Sequence, residues 1–410
     1  MVPPADDIAH FDLAHPPAGF IDDPFPWYAA LRDTDPIHRC PDGSYLVTRY
    51  DDCLQVYRNS NFSSDKRRLF RPKFGASPLF SHHTTSLVFN DPPYHTRVRS
   101  TLAEALKPKT IEPTIVALER VVAQLLDELA QRFAGGHEVD LIEHFASRVP
   151  VEIISSLLTV PEEDRDNLRR WSLAILGALE PELTAEQLDL GNRAVTEFLD
   201  YLRALVKYRR SHPSGAPNDV LSTLTALHDR GELREAELLH NCIFLLNAGH
   251  ETTTNLIGNG VHCLLTESGA RQHLRQRPAS IKGAIEETLR FASPNQLGNR
   301  EVSATTRIGG VTFEPGTQIT LCIGAANRDA TQFDKPDRFD IERTPNHHLA
   351  FASGIHACVG MSLARIEGKV AIGALLEQFP TLELARPPPV RQRIRFRGFE
   401  RLDTGVSASR

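Results

Sequence analysis

Nowhere in the 410 residues is there an apolar run long enough to span a bilayer. The most hydrophobic stretch, Cys242 to Gly249 (CIFLLNAG), falls far short of the roughly 18 apolar residues that a membrane helix needs. The amino terminus, MVPPADDIAHFDLAHPP, lacks both the basic start and the apolar core of a secretion signal, so export is not expected. The six cysteines (Cys40, Cys53, Cys242, Cys263, Cys322, Cys358) contain no CxxC pair and no small disulfide framework, which points to a reducing cytoplasm. Positive charge is not in surplus either. Lys plus Arg total 46 against 52 Asp plus Glu, a net charge of −6, which argues against nucleic acid as the main partner. Repeats and low-complexity blocks are missing. What remains, with 41% hydrophobic and 24% charged residues, has the composition of a globular protein and not of a disordered, collagenous or coiled-coil chain.

The pattern along the chain is mainly α with a minor β portion. After a largely irregular start with a short helix over Pro26 to Arg32, Pro36 to Tyr50 reads as a hairpin around the Pro41-Asp42-Gly43 turn. From Asp91 to about Glu267, apolar residues recur three or four apart, with breaks at Gly135-Gly136, Pro161 and Ser211 to Pro217. Within that run a long central helix is expected over Glu235 to Thr266. A β-rich portion spans Gln296 to Leu321, a helix covers Met361 to Phe379, and RQRIRFRGF near the end looks strand-like. No shift in composition divides the chain, so 1–403 is expected to be one domain, followed by a loose tail over 404–410.

One cysteine stands apart from the rest. In Phe351-Ala-Ser-Gly-Ile-His-Ala-Cys358-Val-Gly360, glycines four before and two after the cysteine let the backbone turn tightly and approach a flat ligand. The helix that follows begins just past Cys358, where backbone N–H groups and the helix dipole stabilise a thiolate suited to holding iron. Three further patterns join it. Glu287-Thr-Leu-Arg290 places a carboxylate and a guanidinium three apart on one helix face. Ala248-Gly249-His250-Glu251-Thr252 puts glycine, an acid and an alcohol at the centre of an otherwise apolar helix, a local violation of the kind that marks function. There Gly249 would let a ligand lie against the backbone. Asp91-Pro-Pro-Tyr-His95-Thr-Arg-Val-Arg99 opens a helix with His95 and Arg99 on one face, able to hold two carboxylates.

The ten-residue frame FxxGxHxCxG resembles the heme-ligating loop of the cytochrome P-450 superfamily. The other patterns match that family in place, over nearly the whole chain, and most closely its soluble bacterial members. The resemblance implies the P-450 fold, with heme b (iron protoporphyrin IX) between the long central helix and the cysteine loop, and with Cys358 as the axial iron ligand. Phe351, Gly360 and Ala248 would border the heme, and His95, Arg99, Arg300 and His356 would bind its propionates. Glu287 and Arg290 would buttress the cysteine loop together with a second arginine, Arg338 or Arg343. Glu251 and Thr252 would deliver protons to oxygen. The implied activity is a monooxygenase that inserts one atom of O2 into a small organic substrate.

No GxGxxG or other flavin or nicotinamide fingerprint is present, so electrons are expected from a separate ferredoxin and ferredoxin reductase. Arg97, Lys107, Lys109 and Arg365 are candidate contacts for an acidic partner. By the family's geometry the substrate pocket falls to Val88, Phe244, Asn247, Asn295, Gln296 and Phe399. The amides among these suggest a substrate with a hydrogen-bonding group, unless they bond to backbone or water instead. Oxidative coupling, desaturation or rearrangement on the same scaffold is the nearest alternative. More distant are a heme sensor without turnover, and a zinc protein using Cys358 with His347, His348 or His356.

Overall fold

The computed structural model describes residues 3–180, 182–212, 219–267 and 269–407, with the backbone alone at 108–110. The side chain of Lys109, part of the expected break at 211–217, and the last residues of the expected tail lie outside this description. The chain's contacts divide it into two compact units. One comprises Met1–Ser63, Val122–Arg148 and Thr252–Arg410; the other comprises Ser64–Val121 and Val149–Glu251.

The first unit carries every strand among the described residues: β1 (Ile37–Arg39), β2 (Tyr45–Val47), β3 (Phe62–Ser63), β4 (Val139–Asp140), β5 (Leu297–Val302), β6 (Thr306–Ile308), β7 (Val311–Phe313), β8 (Gln318–Cys322), β9 (Leu382–Leu384) and β10 (Asp403–Val406). The expected hairpin forms, with β1 antiparallel to β2 and His38 opposite Leu46. It joins a five-stranded sheet in the order β1-β2-β8-β5-β3, in which β2 runs parallel to β8 and β5 antiparallel to it. One face of that sheet buries Val47, Cys53, Val56, Phe62, Val302 and Ile319. The ExxR helix, Ile281–Ala292, packs closely on its own unit: a Cβ on Gly283 would lie 2.0 Å from the carbonyl oxygen of Ile341, so only glycine fits.

Two expectations for the carboxy-terminal region need correction. RQRIRFRGF forms no strand; it makes only the isolated bridges Asn295–Phe396 and Val390–Phe399. Its alternation is misleading because its arginines reach other carbonyls: Arg395 donates to Leu297 O (2.9 Å) and Arg397 to Ile21 O (3.0 Å) and Asp22 O (2.9 Å). Conversely, Asp403–Val406 is a paired strand, β10, between β4 and β9, where a loose tail was expected from 404. The start of the chain is also more regular than expected, with a helix at Ala5–Ala9 before the one at Phe25–Thr34.

The second unit is helical. It includes Arg67–Phe74, Pro78–Thr85, Tyr94–Ala105, Arg165–Gly177 and Ala185–Ser211, and all of Arg148–Leu158 but its first residue. The central helix spans Glu235–Thr266, the range expected from its apolar period, and its first half belongs to this unit. Three buried histidines gather here. The ring of His82 lies 5.2 Å from that of His83 and 5.6 Å from that of His240, and Phe70, Phe74 and Phe89 surround His83 at 5.4, 5.3 and 5.6 Å.

Burial pushes His82 well below the ordinary histidine range, with the neighbouring His83 and His240 adding to it. His83 falls to about 3 through burial and then Lys73, and His240 to about 4 through burial and then Arg203. Above the ordinary value of 6.5 these rings are neutral whether the chain is folded or not, so they leave stability unchanged. Below it the unfolded chain takes up protons that the folded one refuses, and stability falls. Each such histidine should cost about 1.4 kcal/mol per pH unit well below its unfolded pKa. Urea unfolding between pH 6.5 and 5 should therefore show a steep acid loss, and His83→Phe should flatten it. An unchanged slope in that variant would show that the cluster does not titrate on unfolding.

Candidate active site

The site begins with a buried carboxylate. Glu287 and Arg290 sit one turn apart on the helix Ile281–Ala292, each 0% exposed. Their spacing brings them side-on: Arg290 Nε donates to Glu287 Oε2 at 2.8 Å and an Nη of Arg290 to Oε1 at 2.7 Å. The remaining guanidinium donors reach backbone carbonyls of Asn327 (2.9 Å), Pro336 (2.7 Å) and Arg338 (3.0 Å), so all five N–H groups are used. Glu287 accepts in addition from the Asp340 N–H (2.8 Å), the Asn346 Nδ2 (3.1 Å) and Arg343 Nε (3.2 Å to either oxygen). Arg343 is thus the second arginine of this network; Arg338 contributes only its carbonyl. Asn327 extends it, with its Oδ1 accepting from the Leu349 N–H (2.7 Å) and its Nδ2 donating to Ser293 Oγ (2.8 Å). The segment from 327 to 349 is thereby fixed to the ExxR helix, and it leads directly into the cysteine loop.

Cys358 lies beyond a 3-10 turn at Gly354–His356 and before the helix Met361–Gln378. Its N–H donates to Phe351 O (2.9 Å), folding the loop back on itself. Gly354 takes φ +69°, and a Cβ there would meet the carbonyl oxygen of Tyr57 at 2.4 Å; no heavy atom lies within 4 Å of a Cβ on Gly360. Five of the six cysteines are buried and only Cys358 is partly open. Burial pushes the thiols of Cys242, Cys263 and Cys322 up to about 12 and that of Cys40 to about 11, leaving them protonated. The same unit holds His356, partly exposed in the loop, and Arg300, buried on β5 with its guanidinium 5.2 Å over the Tyr57 ring and donating to Asn299 O (2.8 Å).

The second unit holds His95, buried on the helix Tyr94–Ala105, and Arg99 one turn on and partly exposed. On the central helix, Ala248 is exposed although Asn247 before it is buried, and Phe244 and Thr252, four residues to either side, are partly open. That i, i+4, i+8 row is a more open stripe near the centre of the helix. A Cβ on Gly249 would meet Ile154 Cδ1 at 2.6 Å, so the glycine lets the helix pack closely there. Glu251 is buried. Next to Thr252, Thr253 hydrogen-bonds the carboxyl of Glu367, which burial pushes up to about 8 and so keeps protonated at neutral pH. Sequence reading passed over Glu367; its only signal was an acid within the apolar face of the helix Met361–Gln378.

The expected substrate residues separate by their partners. Gln296 is buried, and its Nε2 donates to Ala292 O (3.0 Å) and Ser293 O (2.6 Å), closing the end of the ExxR helix. Its Oε1, like the Oδ1 of Asn295 and of Asn247, is buried without a hydrogen-bond partner among the described residues. Phe399 rests on His262 at 4.7 Å, and Val88 lies in the turn Leu87–Phe89, held by Leu87 N–H to Asn241 Oδ1 (3.0 Å).

The residues present fit a heme. Cys358 is the one partly open thiol, with Arg300 and His356 in the same unit; in the other unit Ala248 is small and exposed, and His95 and Arg99 share one helix face. No group of three or more His, Cys, Asp or Glu is arranged to hold a metal ion among the described residues, so the zinc reading finds no ligand set there. Comparison with known proteins agrees. The cytochrome P-450 family model matches residues 41–277 and 272–396. Cytochrome P-450 107B1 of Saccharopolyspora erythraea is 37% identical over 97% of this chain and 97% of its own. The vitamin D(3) 25-hydroxylase of Pseudonocardia autotrophica is 37% identical, covering 89% of each. The crystal structure of P-450 BioI in complex with hexadec-9Z-enoic acid ligated acyl carrier protein superposes with a TM-score of 0.88 at 34% identity, over 95% of this chain and 100% of that one.

Removing one partner from the buried pair strands the other's charge, which costs about 3–5 kcal/mol. Glu287→Gln should therefore lower thermal stability sharply and reduce the yield of folded protein, whereas Asn346→Ala, which removes one neutral donor, should cost about 1 kcal/mol. Melting curves of the two variants decide; equal losses would deny the carboxylate its central place.

Proposed function

The chain belongs to the cytochrome P-450 family and is a heme-dependent monooxygenase, and on that premise we propose that it hydroxylates a small organic molecule bearing a hydrogen-bonding group. The observation that carries the substrate reading is Asn247: a carboxamide 4% exposed on the central helix, one residue before the uncovered Ala248, with its Oδ1 unpaired. A buried amide in that state costs about 1–3 kcal/mol, which a substrate donor would offset. Asn295, whose Oδ1 is likewise unpaired, supports the same reading.

When bound, heme activates dioxygen for insertion into a C–H bond, and thiolate ligation favours O–O cleavage. The protein's part is placement and protonation. Cys358 supplies the thiolate, and the Glu287–Arg290–Arg343 network holds its loop in register. By the family resemblance, Arg300, His356, His95 and Arg99 would hold the propionates. Glu251 and Thr252 hold and pass the protons, the acid being buried and the alcohol partly open beside Ala248.

Electrons come from a ferredoxin and its reductase. Three of the four cations expected at their docking face are engaged within the chain, Arg97 in a two-point pair with Glu237 (2.7 and 3.0 Å), Lys107 with Glu104 and Arg365 with Glu286. A cytoplasmic setting fits six free cysteines. Among the described residues no helix is long and apolar enough to cross a membrane.

Dithionite and carbon monoxide should give the strongly red-shifted Soret band of thiolate ligation, and Cys358→Ala should abolish it. A band that survives the substitution would remove the assigned ligand. Ferric spin-state titration against steroids, terpenoids, fatty acids and aromatic acids should find binders. Asn247→Leu should weaken the best polar one by about two- to tenfold, in keeping with about 0.5–1.5 kcal/mol for one hydrogen bond. Affinity unchanged by that substitution would overturn the polar-substrate reading. One added oxygen in the product mass identifies hydroxylation; its absence identifies coupling, desaturation or rearrangement.

A further inference from the structure

On the ExxR helix, the residue before Glu287 is also a glutamate, and it faces elsewhere. Glu286 accepts from Arg365 Nε at 2.6 Å and from an Nη at 2.9 Å, a two-point pair that reaches from this helix to the helix following the cysteine. His348 adds a third contact, its Nε2 3.3 Å from Glu286 Oε2, while its Nδ1 accepts from the Ala350 N–H at 3.3 Å. The guanidinium of Arg365 lies over the Phe351 ring, 4.7 Å from its centre, and His348 packs on that ring at 5.7 Å. Phe351 is the residue whose carbonyl receives the Cys358 N–H. A cation, an anion and an aromatic ring thus form a closed set one hydrogen bond from the sulfur. The pair is only partly screened by solvent, with Arg365 38% and Glu286 29% exposed, so its charges act on the sulfur more strongly than those of an open surface pair.

We infer that Arg365 and Glu286 are positioning residues that set the reduction potential of the Cys358-ligated heme, Arg365 by clamping Phe351 with its positive charge near the sulfur and Glu286 by holding and neutralising that charge. The inference rests on the heme-thiolate reading of Cys358 and deepens it. A fixed positive charge near the site favours the reduced state, and a fixed negative charge disfavours it. The two residues therefore act with opposite sign, which a purely structural role would not produce. Their place on the ligand side also gives an acidic electron donor a means of acting: a carboxylate that competes with Glu286 for Arg365 changes the field on the sulfur.

The test is spectroelectrochemical titration of the holoenzyme and its variants. Glu286→Gln leaves Arg365 unneutralised and should raise the midpoint potential. Arg365→Gln leaves Glu286 and should lower it. Each change should amount to about three- to tenfold in the one-electron equilibrium constant, or about 30–60 mV at 59 mV per decade. The double variant should return close to wild type, and Arg365→Lys, which keeps the charge, should stay near wild type even if the arginine-to-glutamine variant folds poorly. Shifts of the same sign in both single variants, or no shift in either, would overturn the inference. A wild-type protein without the red-shifted carbon monoxide band would instead overturn the thiolate reading, so the two failures are distinguishable.

Discussion

A carboxylate with no solvent contact, paired with two arginines, is the constraint on which the rest of the cysteine-loop unit depends. Desolvating Glu287 is costly, and an arginine alone would not repay it; the site is stable because both Glu287 oxygens and every Arg290 guanidinium N–H have partners. That completeness is geometric as much as energetic. The partners come from residues 327, 336, 338, 340, 343 and 346, a stretch with no regular secondary structure and no internal ladder of its own. An apolar core could bury such a stretch, but it would not specify which carbonyl faces which donor. The ion pair does, and the cysteine loop inherits the resulting register through Asn327 and Leu349.

Adjacent glutamates on one helix serve two directions. Successive residues on a helix point about 100° apart, so Glu287 turns inward to the 327–346 segment while Glu286 reaches the helix Met361–Gln378. The cysteine loop joins these two structures, one on each side in sequence, and is held from both. Solvent access differs between them: the inner pair is sealed, whereas the outer pair is about one-third exposed. A sealed pair fixes geometry. A half-open one can still respond to what approaches it, which is why the outer pair, and not the inner, is where redox tuning is placed.

Legibility in the sequence followed from how local each feature is. The central helix could be read to its ends because its apolar period is carried by the segment itself, and the cysteine loop because five typed positions fall within ten residues. Arg343 could not be told from Arg338, since a stretch without period gives no face to either; only the donor geometry at Glu287 separates them. Strand β10 was missed and RQRIRFRGF overread for one shared reason. Pairing with β4 and β9 is non-local, and Asp-Thr-Gly-Val shows no apolar alternation, while Arg-Ile-Arg-Phe-Arg alternates well although its arginines bond elsewhere. The close approach of Ile154 to Gly249 was not legible either: the two lie nearly a hundred positions apart, and nothing near the glycine in sequence reports that contact.

Asn295 and Gln296 show where the reading of a pocket has to stop and why. In sequence they are neighbouring amides of the same chemistry, and no propensity or period distinguishes them. The longer side chain of Gln296 reaches back to the open carbonyls at the end of the ExxR helix, and a helix end always offers such acceptors. Those bonds satisfy only the amide nitrogen: the oxygen of Gln296, like that of Asn295 at its backbone bridge with Phe396, has no hydrogen-bond partner among the described residues. A buried amide becomes a candidate for substrate recognition only when the backbone within reach has nothing to offer it. By that criterion Asn247 qualifies most clearly: it sits inside a helix whose own ladder uses the nearby backbone groups, so its carboxamide has to find its partner off the helix.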